Sequence, residues 1–313
     1  MQKGNWSRVT EFILMGFPHK SEMRYPLFLL FLTIYFFTLL GNFLILVAIR
    51  TDSRLHVPMY FFLGNLSFLD IWFSTVTLPK MLEGLLTPCG VVISFKGCVA
   101  QVYFSQLLGC TECFLYTIMS YDRYLAISSP LRYSSIMHRS MYIQLTAGVW
   151  LGCSVHSTIQ TSLAFRLPYC GVKEIDNFFC DPPALLELAC ADTIINERVI
   201  FFGIGMVVVV CLVLILFSYG SILRIVLSLG KMGGRRRTIS TFASHFVAVA
   251  CFYVPCVFTY LRPNAKGTLD RAVAVFYTIL TPMLNPLIYT LRNKEVKASL
   301  AKLKGKGLFL LGK

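Results

Sequence analysis

Asp70 and Glu112 are the two ionisable residues that stand in the middle of long apolar stretches of this sequence. A carboxyl group is costly in hydrocarbon, so one placed there calls for a function and a partner. Each lies about halfway along its stretch, so the two can meet at one depth and share a proton or a cation such as sodium. The plainer reading of the same pair is a hydrogen-bonded polar core with water. Other chemistry is sparse. His56, His138 and His245 fall near one boundary of the apolar stretches, His19 lies in the tail and His156 stands alone, and none is spaced to serve a Ser or Asp as a catalytic base. The 11 cysteines include no Cys-x-x-Cys pair and have no histidine cluster beside them, a poor fit to zinc. No enzyme, cofactor or metal is therefore expected, sodium at Asp70 and Glu112 aside.

The elements that carry these residues are membrane helices. A hydrocarbon core about 30 Å thick takes roughly 20 apolar residues of helix. Seven stretches qualify: Pro26–Ile49, Pro58–Leu78, Cys98–Ile127, Met141–Leu163, Val199–Leu223, Phe242–Leu261 and Ala272–Leu291. Only 14% of the 313 residues are charged, where a soluble domain carries about 25%. Mean hydropathy is +0.67, as a chain solvated mainly by lipid should show. The net charge of +14 does not point to nucleic acid, because the basic residues are spread between the apolar runs instead of forming a patch. Met1 to Arg24 is polar, and its best apolar run, Phe12 to Phe17, is too short for a secretory signal. The first span is expected to direct its own insertion.

Lysine and arginine set the orientation. With the C-terminus inside, the inner segments hold 17 basic residues against three acids (Asp52, Asp122, Glu295), and the outer ones hold 12 against ten. The expected organisation is an extracellular tail at 1–25, an all-α seven-transmembrane bundle at 26–291, and a cytoplasmic amphipathic helix with tail at 292–313. In that last segment Val296, Leu300 and Leu303 share one helical face with lysines on the others, which suits the anionic inner leaflet of a lipid bilayer. Asn5-Trp6-Ser7 is a glycosylation sequon on the outer side. Cys89, Cys98, Cys170, Cys180 and Cys190 cluster on that side too, where disulfides persist. Their connectivity does not follow from spacing.

At the inner end of the third span the sequence reads Met119-Ser120-Tyr121-Asp122-Arg123-Tyr124-Leu125-Ala126-Ile127. With Gly41-Asn42 in the first span and Asn285-Pro286-Leu287-Ile288-Tyr289 in the seventh, it resembles rhodopsin-like G-protein-coupled receptors. Leu55-His56-Val57-Pro58-Met59-Tyr60, Ser240-Thr241-Phe242-Ala243-Ser244-His245 and Pro282-Met283-Leu284-Asn285-Pro286 resemble, more narrowly, olfactory receptors. These stretches come in order, at family spacing, over nearly the whole chain. Departures are modest: Ser120 and Ser128 replace the family's usual Ala and Cys, Arg237-Thr238-Ile239 opens the sixth span in place of Lys-Ala-Phe, Phe242 stands where Cys is usual, and Val254 follows Phe252-Tyr253 where Gly is commoner. A transporter or channel, the rival class, would show internal repeats or rings of pore charge, and neither is present.

The resemblance implies a receptor for a small volatile odorant, acting through a heterotrimeric G protein of the stimulatory, olfactory type. It implies bridges Cys98–Cys180 and Cys170–Cys190, leaving Cys89 free. It also implies a ligand pocket in the outer half of the bundle. Ser105, Gln106, Gly109 and Cys110 share a stripe of the third helix, and Cys256, Val257 and Tyr260 one of the sixth. Ile204, Val207 and Thr278 complete the expected lining. Tyr260, two turns beyond Tyr253, is expected to touch the ligand with Ser105 and Gln106. Asp70 and Glu112 read as too deep to hold a protonated amine, with Asp181 beside Cys180 as a loop exception, so a mostly apolar neutral ligand is expected. The inner switch would comprise Asp122, Arg123, Tyr124, Tyr219, His245, Asn285, Pro286 and Tyr289.

Overall fold

The computed structural model describes residues 9–16, 21–87, 90–171, 174–228, 245–258, 273, 275–292 and 295–302. Seven helices among these form the bundle: α1 (Arg24–Thr51), α2 (Pro58–Leu86), α3 (Phe95–Ser128), α4 (Arg139–Phe165), α5 (Ile194–Ser228), α6 (His245–Phe258) and α7 (Thr281–Arg292). α1, α2 and α5 are long and apolar enough to cross a bilayer by length and composition alone. α3 and α4, at 34 and 27 residues, have the length but carry more polar side chains.

Local sequence explains where helices begin and continue. Pro58 opens α2 at a position where its missing N–H costs nothing. Ser94 caps α3, its hydroxyl accepting from the Gly97 amide at 3.1 Å. α2 continues to Leu86, beyond the Leu78 limit read from hydropathy, because Pro79 sits inside the helix without ending it. α1 buries Phe31, Ile34, Thr38, Asn42, Ile45 and Ala48, a single stripe at helical spacing, and turns Phe36, Phe37 and Phe43 outward. Phe217 on α5 is 71% exposed, an outward phenyl that only lipid would cover at low cost.

α3 runs through the middle and packs on α2, α4 and α5, while α7 packs on α1 and α2. Asn42 donates to the carbonyl of Pro282 at 3.1 Å, and a Cβ at Gly41 would sit 3.1 Å from Pro286, so glycine is what lets α1 approach α7 this closely. A π-helical turn, Phe276–Leu280, precedes α7 and buries Tyr277, Thr278 and Ile279. After α7, residues 295–302 are helical, with Val296 buried and Lys297 and Lys302 exposed, which is the amphipathic pattern read from the sequence.

The bundle also carries a three-stranded sheet that hydropathy did not announce. β1 (Glu11–Leu14) pairs antiparallel with β2 (Val91–Ser94) and parallel with β3 (Glu174–Ile175), and β1 is the central strand. Phe12 and Leu14 point into a small core with Ile93, Ile175 and Cys180. The sheet ties the segment before α1, the loop before α3 and the loop after α4 into one cap at one end of the bundle.

Candidate ligand site and switch

The cap is fastened to the bundle at Cys180. The structure joins Cys98, at the start of α3, to Cys180, and Cys170 to Cys190 within the loop. Cys89 lies outside the described residues. Gln101, one turn beyond Cys98 on α3, clamps the same point: its carbonyl accepts from the Cys180 amide at 2.8 Å and its amide donates to the Val76 carbonyl at 2.9 Å. Nothing in the spacing of the sequence marked Gln101 for this role. A polar side chain on a helix face reads as ordinary until the loop it grips is placed.

Phe179 and Asp181, flanking Cys180, therefore roof a cavity that is partly open to solvent. Seven of the residues expected in the pocket line it: Ser105, Gln106, Gly109 and Cys110 from α3, Ile204 and Val207 from α5, and Cys256 from α6. Phe73, Phe252 and Tyr277 supply aromatic walls. Val257 and Thr278 do not line it. Each is rotated about 100° from a neighbour, Cys256 or Tyr277, that takes the inward position. Val257 packs against the core and Thr278 is buried elsewhere. Tyr260 and Asn5 lie outside the described residues.

One expectation about depth is corrected. Glu112 lines the cavity floor, so it is not too deep to meet a ligand. Axial position along a helix says where a residue sits in the membrane, not how far a cavity descends. His156, alone in α4 by sequence, also lines the wall.

Just below, three helices converge on one side chain. Asn285 of α7 donates to both carboxylate oxygens of Asp70, and its carbonyl accepts from the Tyr116 hydroxyl at 3.1 Å. Glu112 lies beside the same Asn285 and Tyr116, so the two acids face a shared centre. Tyr253 donates to the carbonyl of Cys113 at 3.0 Å and ties α6 to α3 at this level.

At the inner end, Asp122 is buried and accepts from the Tyr133 hydroxyl at 2.7 Å. Tyr133 belongs to a short helix, Tyr133–Ile136, in the second inner loop, and burial beside Asp122 pushes its phenol above the ordinary range. Arg123 Nε is buried with no hydrogen-bond partner among the described residues. Tyr219 of α5 hydrogen-bonds His245 of α6, while the ring of Tyr289 lies beside His245 and its buried hydroxyl has no hydrogen-bond partner among the described residues. Tyr124 is half-buried against the core. Pro286 fills the groove left by Gly41.

A bundle with an outer cavity, a buried polar centre and an inner arginine poised among tyrosines has the build of a G-protein-coupled receptor. A sequence model described as olfactory receptor matches residues 31–306. Olfactory receptor 10G9 of Homo sapiens is 57% identical over 300 residues, 96% of either chain. Olfactory receptor 10G7 of Homo sapiens is 56% identical over 308 residues, 98% of this chain and 99% of that one. Olfactory receptor 10D3 of Mus musculus is 51% identical over 308 residues, 98% of both. The chain belongs to the olfactory receptor family. It is thus a multi-pass plasma-membrane receptor of the G-protein-coupled kind and not an enzyme.

Proposed function

We propose that the chain binds a small, mostly apolar, neutral volatile in the cavity beneath Asp181 and Phe179, and that binding activates a stimulatory, olfactory-type G protein and raises cyclic AMP. The observation that carries this reading is the cavity itself. Its walls are mainly apolar, with Ser105, Gln106, Glu112, His156 and Asp181 as the polar groups, which is the make-up of a small-molecule site. Its floor at Glu112 adjoins the Asn285 centre, so a ligand pressing on the floor can bias the arrangement of α2, α3 and α7. Arg123, Tyr219, His245 and Tyr289 are the groups that would rearrange at the inner end to admit a G-protein segment. The basic bias of the inner segments supports an extracellular N-terminus, with Asn5 available for glycosylation, and a cytoplasmic helix after residue 292.

The test is a panel of volatile compounds applied to cells that display the chain, with cyclic AMP as readout. At least one compound should raise cyclic AMP in a dose-dependent way. Substituting Gly109 or Ile204 by Trp, to fill the cavity, should weaken that response at matched surface levels. An unaltered response in both variants would remove the ligand from this cavity.

A further inference from the structure

Resting on the reading of the cavity as the ligand site, we propose that the volatile enters it sideways from the bilayer. The entrance is a groove between α3, α4 and α5, and His156 is the door between groove and cavity.

The groove follows α4 from Met141 to His156, roughly 22 Å at 1.5 Å of rise per residue, with Phe114 of α3 and Val207 of α5 as its flanks. Its floor is recessed at Gly148 and Gly152, one turn apart and both exposed. A Cβ added to either would meet no atom within 4 Å. Beside them Leu151 and Val155 stand 70% and 55% exposed, so this side of α4 faces the hydrocarbon of the membrane. No lysine, arginine, aspartate or glutamate is among the residues lining the groove. It is an uncharged channel laid open to lipid.

The groove abuts the ligand cavity. Cys110, His156 and Val207, one side chain from each of three helices, line both spaces. Cys110 and Val207 are small, and His156 is the bulk of the partition. Its Nε2 lies 3.3 Å from the Gln160 amide nitrogen and beside the Gly203 backbone, and its Nδ1 is buried with no hydrogen-bond partner among the described residues. A Cβ on Gly203 would collide with the Gln160 amide, so α5 passes these two side chains only because residue 203 is glycine. At this level α4 thus meets α5 through a histidine and a glutamine lying over a glycine. Such a seam opens by a change of rotamer, with no shift of backbone. A histidine within a membrane span is costly and calls for a role, and closing this partition supplies one.

The direction of approach follows from solubility. Over the top of the bundle lies a cap tied down by the Cys98–Cys180 bridge, the Gln101 clamp and the three-stranded sheet. A small apolar molecule is enriched on the order of a thousandfold in hydrocarbon over water. Most volatile molecules beside the receptor are therefore already in the bilayer, level with the groove. Entry from there avoids a return to water.

Two photoreactive probes test this on the full chain in phospholipid nanodiscs. One is free trifluoromethyl phenyl diazirine, a small neutral aromatic. The other is a phosphatidylcholine carrying the same aryl diazirine at the end of one acyl chain. Light expels dinitrogen from either and leaves a carbene that inserts into a neighbouring bond, and mass spectrometry of peptides locates the label. Phe252, Cys256 and Tyr277 line the cavity but not the groove, and all three are buried, so label on them reports entry. The free probe can arrive by any route, whereas its headgroup restricts the tethered probe to the side. Both should label these residues in the wild-type chain. Gly152→Trp, which fills the groove, should abolish their labelling by the tethered probe and, after long equilibration, preserve that by the free one. His156→Ala, which removes the door, should raise tethered labelling several-fold, and it decides the matter if Gly152→Trp does not fold. Tethered label confined to the groove while the free probe marks the cavity would mean that the groove only holds lipid, and would overturn the entrance alone. Tethered label in the cavity that survives Gly152→Trp, or that His156→Ala leaves unchanged, would also overturn it. A cavity that neither probe labels would defeat the ligand-site reading and the entrance together.

Discussion

The side-chain nitrogen of Asn285 sits 3.2 and 3.1 Å from the two carboxylate oxygens of Asp70, so one residue of α7 satisfies the buried acid of α2 while Tyr116 of α3 bonds its carbonyl. Asn285→Ala would strand both partners. A buried group left unsatisfied costs about 1–3 kcal/mol, and more when charged. In detergent, the thermal midpoint of Asn285→Ala should fall by several degrees. A midpoint within a degree of wild type would mean that the three helices do not depend on this junction.

Glu112 adjoins the same asparagine, and sodium shared between Asp70 and Glu112 is the prediction to test here, with no third acid, histidine or cysteine joining them among the described residues. Raising sodium at constant ionic strength, with choline as the balance, should stabilise the wild-type receptor against heat. Asp70→Asn should abolish that response. Equal sodium responses in the two proteins would assign the pair to hydrogen bonding alone.

Tyr133 donates to Oδ1 of Asp122, and no ion pair within 4.0 Å joins Asp122 to the neighbouring Arg123 among the described residues. Tyr133→Phe frees Asp122 to pair with Arg123 and should lower ligand-stimulated cyclic AMP several-fold. Arg123→Ala should abolish it while surface expression stays near wild type. Full signalling by Arg123→Ala would remove the inner end of α3 from the switch.

The Cys98–Cys180 bridge holds the roof over the cavity. Losing a native disulfide typically costs about 2–5 kcal/mol. Cys98→Ser should therefore lose most surface display, whereas Cys211→Ser, which removes a free buried thiol, should lose little. A non-reduced digest should contain the 98–180 linked pair. Recovery of Cys98 as a free thiol would contradict the architecture of the cap.

How much of this was legible beforehand depends on the range of the interaction concerned. The long apolar spans now seen as α1 and α5 follow from hydrophobic length, which is a local property. Ser105, Gln106, Gly109 and Cys110 were readable because helical phase alone puts them on one face, and that face meets the cavity. Val257 and Thr278 failed on the same rule, since an error of one residue turns a side chain by about 100°. The sheet was not readable at all. Its strands are two to four residues long and their partners lie far apart in sequence, so no periodicity accumulates. Gln101 and the reach of the cavity down to Glu112 likewise exist only once the loop carrying Cys180 is folded over the bundle.

The central place of Glu11–Leu14 in the outer sheet has a consequence for the order of assembly. This strand leaves the ribosome before the first helix of the bundle, yet its parallel partner, Glu174–Ile175, emerges only after four spans have been made. Until then Phe12 and Leu14 can meet only Ile93 and its neighbours in β2, and the other edge of the strand must wait unpaired. Because such long-range pairing forms slowly, closure of the cap should be a late event in biogenesis, after insertion of the early helices. A rigid fusion placed immediately before residue 11 would obstruct that closure, whereas the same fusion joined through a flexible spacer would leave it free.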